Sequence, residues 1–173
     1  METKVPFYNV VNILLPGLVF IGAGMFLFYD EVKVLAAAVT SLGSAGLEVL
    51  VVVAALAVAY EVGYIFFRLG VTAIEPLLKK MFGWTDYEKF VAAKKAGAKS
   101  LGTLSREYSY ALTQITLFIA LAVITGIKMQ WWLMGAAILF VVLFTLTAKG
   151  HIKNIRITVN KYLPTQESEA NNG

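Results

Sequence analysis

Four long apolar runs alternate with polar stretches along the chain. The runs cover residues 7–29, 47–69, 106–127 and 131–148. Each is close to the ~20 apolar residues that an α-helix needs to cross a hydrocarbon core about 30 Å thick. A mixed polar segment, 70–105, separates the second and third runs, and a basic and polar segment, 149–173, follows the fourth. The pattern predicts an all-α integral membrane protein, a four-helix bundle that forms one domain.

The composition agrees with this prediction and narrows the chemistry. The chain is 58% hydrophobic, whereas soluble domains are about 45–50% apolar. It has no cysteine, which excludes disulfides, thiolate metal sites and cysteine nucleophiles. There is one histidine. The sequence contains no HExxH motif and no P-loop, and no Ser/His/Asp set can be assembled from it. We therefore expect a protein that is not an enzyme and that uses no cofactor.

The segment between the first two runs, DEVKVLAAAVTSLGSAG at 30–46, has two interpretations. It can be an outer loop with one short interfacial helix. It can also be a re-entrant pore loop, with a helix at 34–39 and a turn at 40–43 that dips back into the membrane. Potassium channels place a filter containing Thr and Gly between two spans in this way, but no TVGYG occurs here. The sequence leaves both interpretations open.

Segment 70–105 predicts two short helices. Glycines suggest a turn at Gly83 and a helix end at Gly97, so the helices lie near 75–82 and 86–96. Capping-box spacing, Thr-x-x-Glu, occurs near the start of each helix, at 72–75 and 85–88. After residue 148 basic and apolar residues alternate to about 163. Helical and strand periodicity fit this stretch equally well, and we favour a helix that continues the fourth span.

Lysines and arginines predict the orientation in the membrane. If the N-terminus is cytoplasmic, the outer loops hold only Lys33 and Lys128, and the other thirteen of the fifteen basic residues lie inside. This bias predicts a multi-pass protein of the bacterial inner membrane. Both termini, loop 70–105 and tail 149–173 are expected to be cytoplasmic.

Glu61 is an acid within the second apolar run. A charge near the bilayer centre costs about 2.5–3.5 kcal/mol on insertion scales, so such residues usually face protein or water. In the predicted orientation Asn12 and Gln114 lie at a similar depth, and Glu48 lies near the outer mouth. These groups could satisfy one another within one subunit. Alternatively, Glu61 and Glu48 line or gate a water-filled path in a homo-oligomer, weakly favoured as a tetramer, supported by Asn12 and Gln114.

Small residues at 55, 59 and 63 repeat every four positions in the same run. Such a stripe allows two membrane helices to approach closely. It lies about 200° around the helix from Glu61, because residues two apart are separated by that angle. The stripe therefore predicts a close helix–helix contact, including a contact suited to oligomer formation.

The predicted inner face is strongly basic. Its candidate ligand-binding residues are Lys79, Lys80, Lys94, Lys95, Lys99 and Arg156. Excess lysine follows from membrane topology alone, and anionic lipid would use it. The same residues could neutralise the phosphates of a nucleotide or an oligonucleotide. The sequence supports both interpretations.

Three segments carry a resemblance to a known group of proteins. VPFYNVVNILLPGLVF, AYEVGYIFFRLG and LSREYSYALTQITLF resemble small four-span bacterial membrane effectors of antiphage defence loci, such as the Hailong-type channel effector. The resemblance implies an oligomeric ion channel that a nucleic-acid ligand holds shut and infection opens. It assigns no functional residue.

The leading functional prediction is a homo-oligomeric ion channel or pore-type effector gated by an anionic ligand at the basic face. The alternative is a non-conducting membrane scaffold or regulatory subunit that docks a soluble cytoplasmic partner. A proton-coupled carrier that uses Glu61 ranks below both, because spans one–two and three–four show no clear repeat.

Overall fold

The computed structural model describes residues 7–40 and 45–163. All regular elements in these residues are helices. They are α1 Phe7–Leu27, α2 Tyr29–Thr40, α3 Ala45–Leu69, a π-helical segment Gly70–Ile74, α4 Glu75–Phe82, α5 Tyr87–Lys95, α6 Ser100–Ile127 and α7 Trp131–Tyr162. Four of them, α1, α3 with its continuation, α6 and α7, are long and apolar enough to cross a membrane. This confirms the predicted all-α class and indicates a multi-pass membrane protein.

The third and fourth spans are longer than the sequence pattern indicated. α6 begins at Ser100 rather than at 106, and α7 continues as one helix to Tyr162. The helical interpretation of the stretch after residue 148 is therefore confirmed. At 1.5 Å per residue, 28 and 32 residues give helices of about 42 and 48 Å, longer than a core of about 30 Å. The excess lies at one end of the structure, where α6 begins and α7 finishes.

α6 and α7 are antiparallel neighbours joined by the tight turn 128–130. Met129 has a φ of 55°, and the amide of Gln130 donates to the carbonyl of Thr125 at 2.9 Å. Seven consecutive residues of α6, Ala111–Leu117, are buried, which places other helices on every side of this stretch. α7 packs along one side, and α1 and α3 pack along the others. α6 is thus the central helix of the structure.

α1 and α3 cross where both helices carry small residues. A Cβ on Gly17 would overlap the carbonyl of Ala59, and a Cβ on Gly63 would overlap the carbonyl of Ile13. Ala59 is completely buried at this crossing. The predicted close contact therefore exists, but it lies within one chain. Ala59 and Gly63 are used by α1 and are not available for an oligomer contact, which corrects that part of the sequence interpretation.

Segment 70–105 and the end of α7 form one packed unit, called here the basic end. Its core includes Leu78, Ala93, Leu101, Ile152 and Val159, which are buried together. The predicted turn and helix end are confirmed, because Gly83 and Gly97 have φ values of 72° and 100°. Only glycine adopts such values without strain.

Both predicted capping boxes are wrong. Thr72 lies inside the π-helical segment, and its Oγ1 donates to the carbonyl of Arg68 at 2.8 Å. The second helix begins after Asp86, while the Oγ1 of Thr85 is buried without a hydrogen-bond partner among the described residues. The reason for the first error is continuity. α3, the π-helical segment and α4 follow one another without a break, so no new helix starts at Thr72.

α2 is longer than the short helix expected at 34–39, since it spans Tyr29–Thr40. Residues 41–44, which would form most of a re-entrant turn, lie outside the described residues. The choice between an interfacial loop and a pore loop therefore stays a prediction. The α6–α7 turn approaches α2, because the Nζ of Lys128 lies 3.9 Å from the Oε1 of Glu31 and 3.9 Å from the centre of the Phe28 ring.

Candidate functional site

Glu61 lies on α3 between the two residues that form the crossing with α1. Ala59 and Gly63 point towards α1, and Glu61 projects from the other side of the helix with an exposed side chain. No hydrogen bond or ion pair to Glu61 forms within the described part of the chain. The crossing sets its depth, because Gly17 and Ile13 of α1 lie at the same level. The acid is therefore well inside the span and is not covered by the described part of its own chain.

The surroundings of Glu61 on α3 are apolar and equally uncovered. Val58 and Ile65, one turn to either side, are each 54% exposed. Arg68, two turns away, does not neutralise the acid. Its Nε donates to the hydroxyl of Tyr64 at 2.8 Å, and its guanidinium lies 5.0 Å from the centre of that ring. Whatever stabilises the Glu61 carboxylate must come from outside these residues.

The part of α3 that precedes Ala59 has no buried residue among those described, although α1 packs beside α3. Every residue from Val49 to Val58 is exposed. Burial on α3 starts at Ala59 and returns at Gly63, Phe66 and, just beyond its end, Gly70. Much of the surface of this part is therefore left for lipid or another protein to cover. Glu48 belongs to the first turn of α3, and its side chain falls outside the described residues.

The other two predicted site residues occupy different places. Gln114 is 5% exposed, in the centre of α6. Asn12 is half-buried and lines a pocket between α1, α3 and α6. No hydrogen bond within the described residues joins either amide to Glu61. The polar residues that were expected to lie together thus have three different environments. Gln114 is buried, Asn12 lines a pocket and Glu61 is exposed.

The pocket next to Asn12 has a volume of about 340 Å³. Its lining residues are Asn12, Ile13, Phe67, Arg106, Ser109, Tyr110 and Thr113. Arg106 and Ser109 are not among the site residues predicted from the sequence. The signal was present in their spacing, since Arg106, Ser109 and Thr113 stand at i, i+3 and i+7, which is one face of a helix.

Hydrogen bonds within α6 determine whether these polar side chains act as donors or as acceptors towards the pocket. Ser109 Oγ donates to the carbonyl of Ser105, and Thr113 Oγ1 donates to the carbonyl of Ser109, both at 3.0 Å. Each hydroxyl has then used its only proton, and its oxygen can still accept. Arg106 Nε donates to the carbonyl of Gly102 at 3.1 Å. The pocket wall therefore presents hydroxyl acceptors next to a guanidinium donor.

The six predicted ligand-binding residues all lie at the basic end. Lys79 and Lys80 are on α4, Lys94 and Lys95 form the last turn of α5, Lys99 precedes α6, and Arg156 is on the extension of α7. All except Lys79 are exposed. Two of the six approach the turn at Gly83. Arg156 lies beside Gly83, and the Nζ of Lys79 lies 4.5 Å from the ring centre of Trp84.

Lys79 differs from the other five because it already has an acidic partner. Its Nζ lies 2.7 Å from the Oε1 of Glu75. The remaining five basic residues have no ion pair within the described residues. An anion that binds this surface would therefore meet Lys80, Lys94, Lys95, Lys99 and Arg156 as unpaired charges.

His151 is the one histidine of the chain and contacts α6 from α7. Its Nδ1 lies 3.6 Å from the Oε2 of Glu107. No group of three or more His, Asp or Glu side chains that could hold a metal ion occurs in the described ranges.

Comparison of the chain with protein families, curated proteins and solved structures found no match in any of the three. Function must therefore be argued from the residues themselves.

Proposed function

We propose that this chain is the subunit of a homo-oligomeric α-helical ion channel, in which Glu61 lies on or beside the conduction path. One observation carries the proposal. Glu61 is an exposed carboxylate, deep in a candidate span, with no partner among the described residues of its own chain.

Three surroundings are open to such an acid: acyl chains, hydrogen-bond donors of a protein, or water. Acyl chains cost about 2.5–3.5 kcal/mol for each subunit on insertion scales. The described chain supplies no donor. Association of copies around the Glu61 face removes this cost, because the carboxylates then share water along an axis. A ring of carboxylates around water attracts cations, so we expect a cation-selective conductance.

The continuous helix from α3 to α4 supports control of this path from the basic end. Three helical segments follow one another without a break: Ala45–Leu69, Gly70–Ile74 and Glu75–Phe82. Lys80 and Glu61 therefore belong to one continuous helix. A polyanion bound to the exposed lysines of α4 and α5 would shift α4 and, through it, α3. Gating by a nucleotide or an oligonucleotide on the cytoplasmic side, and a role in antiphage defence, are hypotheses that agree with the resemblance stated above.

The test is conductance across planar bilayers that contain the purified protein. We expect a cation-selective current from the wild type and a clear loss of selectivity or conductance in Glu61→Gln. Glu88→Gln is the matched control, since Glu88 is an exposed acid of α5 outside the spans. Its current should equal that of the wild type. Glu48→Gln tests the second predicted acid in the same assay.

Two results would contradict the proposal. An unchanged current and reversal potential in Glu61→Gln would remove that residue from the conduction path. A wild-type protein that stays monomeric in mild detergent and passes no current would favour the non-conducting scaffold instead. Particle symmetry by electron microscopy distinguishes the two, because a channel of this kind must show a ring with an axial opening.

A further inference from the structure

We infer that α4 is an interfacial helix, which lies on the bilayer leaflet at the basic end and inserts Leu77 and Met81 among the acyl chains of that leaflet. These two residues, called here the apolar flank of α4, are 58% and 68% exposed. The inference goes beyond the proposed channel and does not depend on conduction, so the failure of one leaves the other standing.

The first charged residues of α6 and α7 mark the edge of the hydrocarbon core at the basic end. No charged residue stands between Glu107 and Lys128, and the first charged residue of α7 is Lys149. At 1.5 Å per residue, the distance along the helix from Glu107 to Lys128 is about 32 Å, close to the thickness of a hydrocarbon core. Glu107 and Lys149 lie at a similar level, because His151, two residues after Lys149, approaches Glu107 at 3.6 Å. This level is called here the core edge.

α4 stays close to the core edge along its length. Before α4, a Cβ on Gly70 would lie 3.0 Å from the backbone of Leu112. Just after α4, the ring centres of Trp84 and Tyr108 are 5.3 Å apart. Tyr108 and Leu112 are four residues, or about 6 Å, apart along α6, whereas the twelve helical residues that follow Gly70 would advance about 18 Å if they ran parallel to it. α4 therefore runs across the bundle, and it packs on α7.

The buried face of α4 determines where its other two sides point. Leu78 is buried in the core of the basic end. Neighbouring residues on a helix are about 100° apart, so Leu77 and Lys79 project on opposite sides of Leu78. Met81 lies one turn from Leu77 on the same side. Glu75 lies one turn from Lys79, and its Oε1 is 2.7 Å from the Nζ of Lys79. Opposite the apolar flank, α4 thus has a charged flank of Glu75 and Lys79.

The two flanks match the polarity of a membrane at the core edge. Because the face of Leu78 points into the basic end, a helix that runs across the bundle turns one flank towards acyl chains and the other towards water. Apolar side chains gain free energy among acyl chains, whereas charged groups lose it there. The apolar flank therefore faces the leaflet and the charged flank faces water. Helices with this division of polarity lie in the plane of the membrane interface.

Lys80 adds charge complementarity on the outer side of α4. It lies about 200° around the helix from Leu78, exposed and without an ion pair among the described residues. A long lysine side chain reaches from the edge of the hydrocarbon to the headgroups, where anionic lipids attract it. A polyanion that engaged Lys80 would displace this lipid contact, whereas Lys94 and Lys95 of α5 remain available to it.

The experiment places a fluorophore on single cysteines of the full-length protein in liposomes. The chain has no cysteine of its own, so each label occupies one position. Leu77→Cys and Met81→Cys test the apolar flank, and Lys79→Cys tests the charged flank. Quenching by lipids that are brominated near the carbonyl end of their acyl chains reports contact with the leaflet. Quenching by iodide reports contact with water.

Two further positions calibrate the labels. Leu146→Cys is the bilayer control, because Leu146 is an exposed residue of α7 three positions inside Lys149. Lys161→Cys is the water control, since it lies twelve residues beyond Lys149, about 18 Å from the core edge. We expect both labels on the apolar flank to behave like Leu146→Cys, with iodide quenching several times weaker than at Lys161→Cys. The label on the charged flank should behave like Lys161→Cys.

A second measurement tests whether the apolar flank holds α4 on the leaflet. Leu77→Ser with Met81→Ser should raise the rate of hydrogen exchange in α4 several-fold in nanodiscs. Ile157→Ser is the matched control, because Ile157 is 54% exposed on α7 beyond the core edge. It should leave the exchange of α4 unchanged.

Four outcomes would overturn the inference. Iodide quenching of both apolar-flank labels without lipid quenching would place this flank in water. Protection of both labels from either quencher would show that protein, such as a second copy, covers them. Equal lipid quenching on the two flanks would contradict the division of polarity. Unchanged exchange in the double serine variant would show that these side chains do not hold α4. Size-exclusion profiles check that each variant is folded.

Discussion

Adding one methyl group at Gly17 should separate the two helices that hold Glu61 in place. A Cβ on Gly17 would overlap the carbonyl oxygen of Ala59 and lie 2.6 Å from its carbonyl carbon, whereas ordinary contact begins at 3.4 Å. The obstacle is backbone of α3 rather than a flexible side chain. α3 must therefore move away from α1 in Gly17→Ala. Gly22 lies five residues further along α1, and a Cβ there would meet nothing within 4 Å.

The size of the effect follows from this difference in space. Alanine in place of glycine normally stabilises a helix interior by about 0.5–1 kcal/mol. Gly22→Ala should show this gain or no change. Overpacking a tight contact costs about 1–3 kcal/mol, so Gly17→Ala should be destabilised by that amount despite the better helix former. The two variants should differ by roughly 1.5–4 kcal/mol, which is about 3 °C or more in melting temperature for a chain of this size.

The assay is thermal unfolding of the detergent-purified variants, followed by size-exclusion chromatography or tryptophan fluorescence. Gly63→Ala should behave like Gly17→Ala, because its Cβ would lie 2.8 Å from the carbonyl carbon of Ile13. Equal melting temperatures for Gly17→Ala and Gly22→Ala would refute the crossing. The helices would then not meet where the small residues lie, and the level assigned to Glu61 would be lost with it.

Three further predictions concern other contacts. Gly70→Ala, whose Cβ would lie 3.0 Å from the backbone of Leu112, should lower the melting temperature, and Gly102→Ala, with open space around it, should not. Trp84→Ala should cost about 3–5 kcal/mol and speed proteolysis between α4 and α6, because this ring packs against the Tyr108 ring, with the two ring centres 5.3 Å apart; an unchanged digestion rate would contradict that packing. Lys128→Gln should change global stability by less than about 1 kcal/mol but increase hydrogen exchange in α2, and equal exchange in both proteins would show that the lysine does not hold α2.

Length and composition carried most of the fold prediction. A run of some twenty apolar residues becomes a helix in a bilayer whatever its periodicity, because every backbone group must be paired within the segment. The turn at Gly83 and the helix end near Gly97 can also be predicted from the sequence, since both positions require a positive φ that glycine adopts without strain. These features depend on local chemistry, which the sequence states directly.

The features that were predicted wrongly, or not predicted at all, depend on packing between residues that are distant in the sequence. Thr72 and Glu75 have the spacing of a helix start, yet the helix passes through them, with Gly70 packed closely against Leu112 of α6. The pocket at Arg106 likewise needs three helices to meet, and its lining residues are scattered over the chain. The spans are apolar on nearly every face, so periodicity could not show which side of α3 its acid occupies.

The exposure of Glu61 follows from the same contact that fixes α3. Residues two apart on a helix differ by about 200°, so the side of α3 that presents Ala59 and Gly63 to α1 turns Glu61 away from α1. Rotating α3 to cover the acid would bring larger side chains into a crossing that admits no Cβ at Gly63. Within the described residues, the α1–α3 crossing and an enclosed Glu61 therefore exclude each other. In the channel that we propose, copies of the chain that meet around the Glu61 face would supply this carboxylate with shared water.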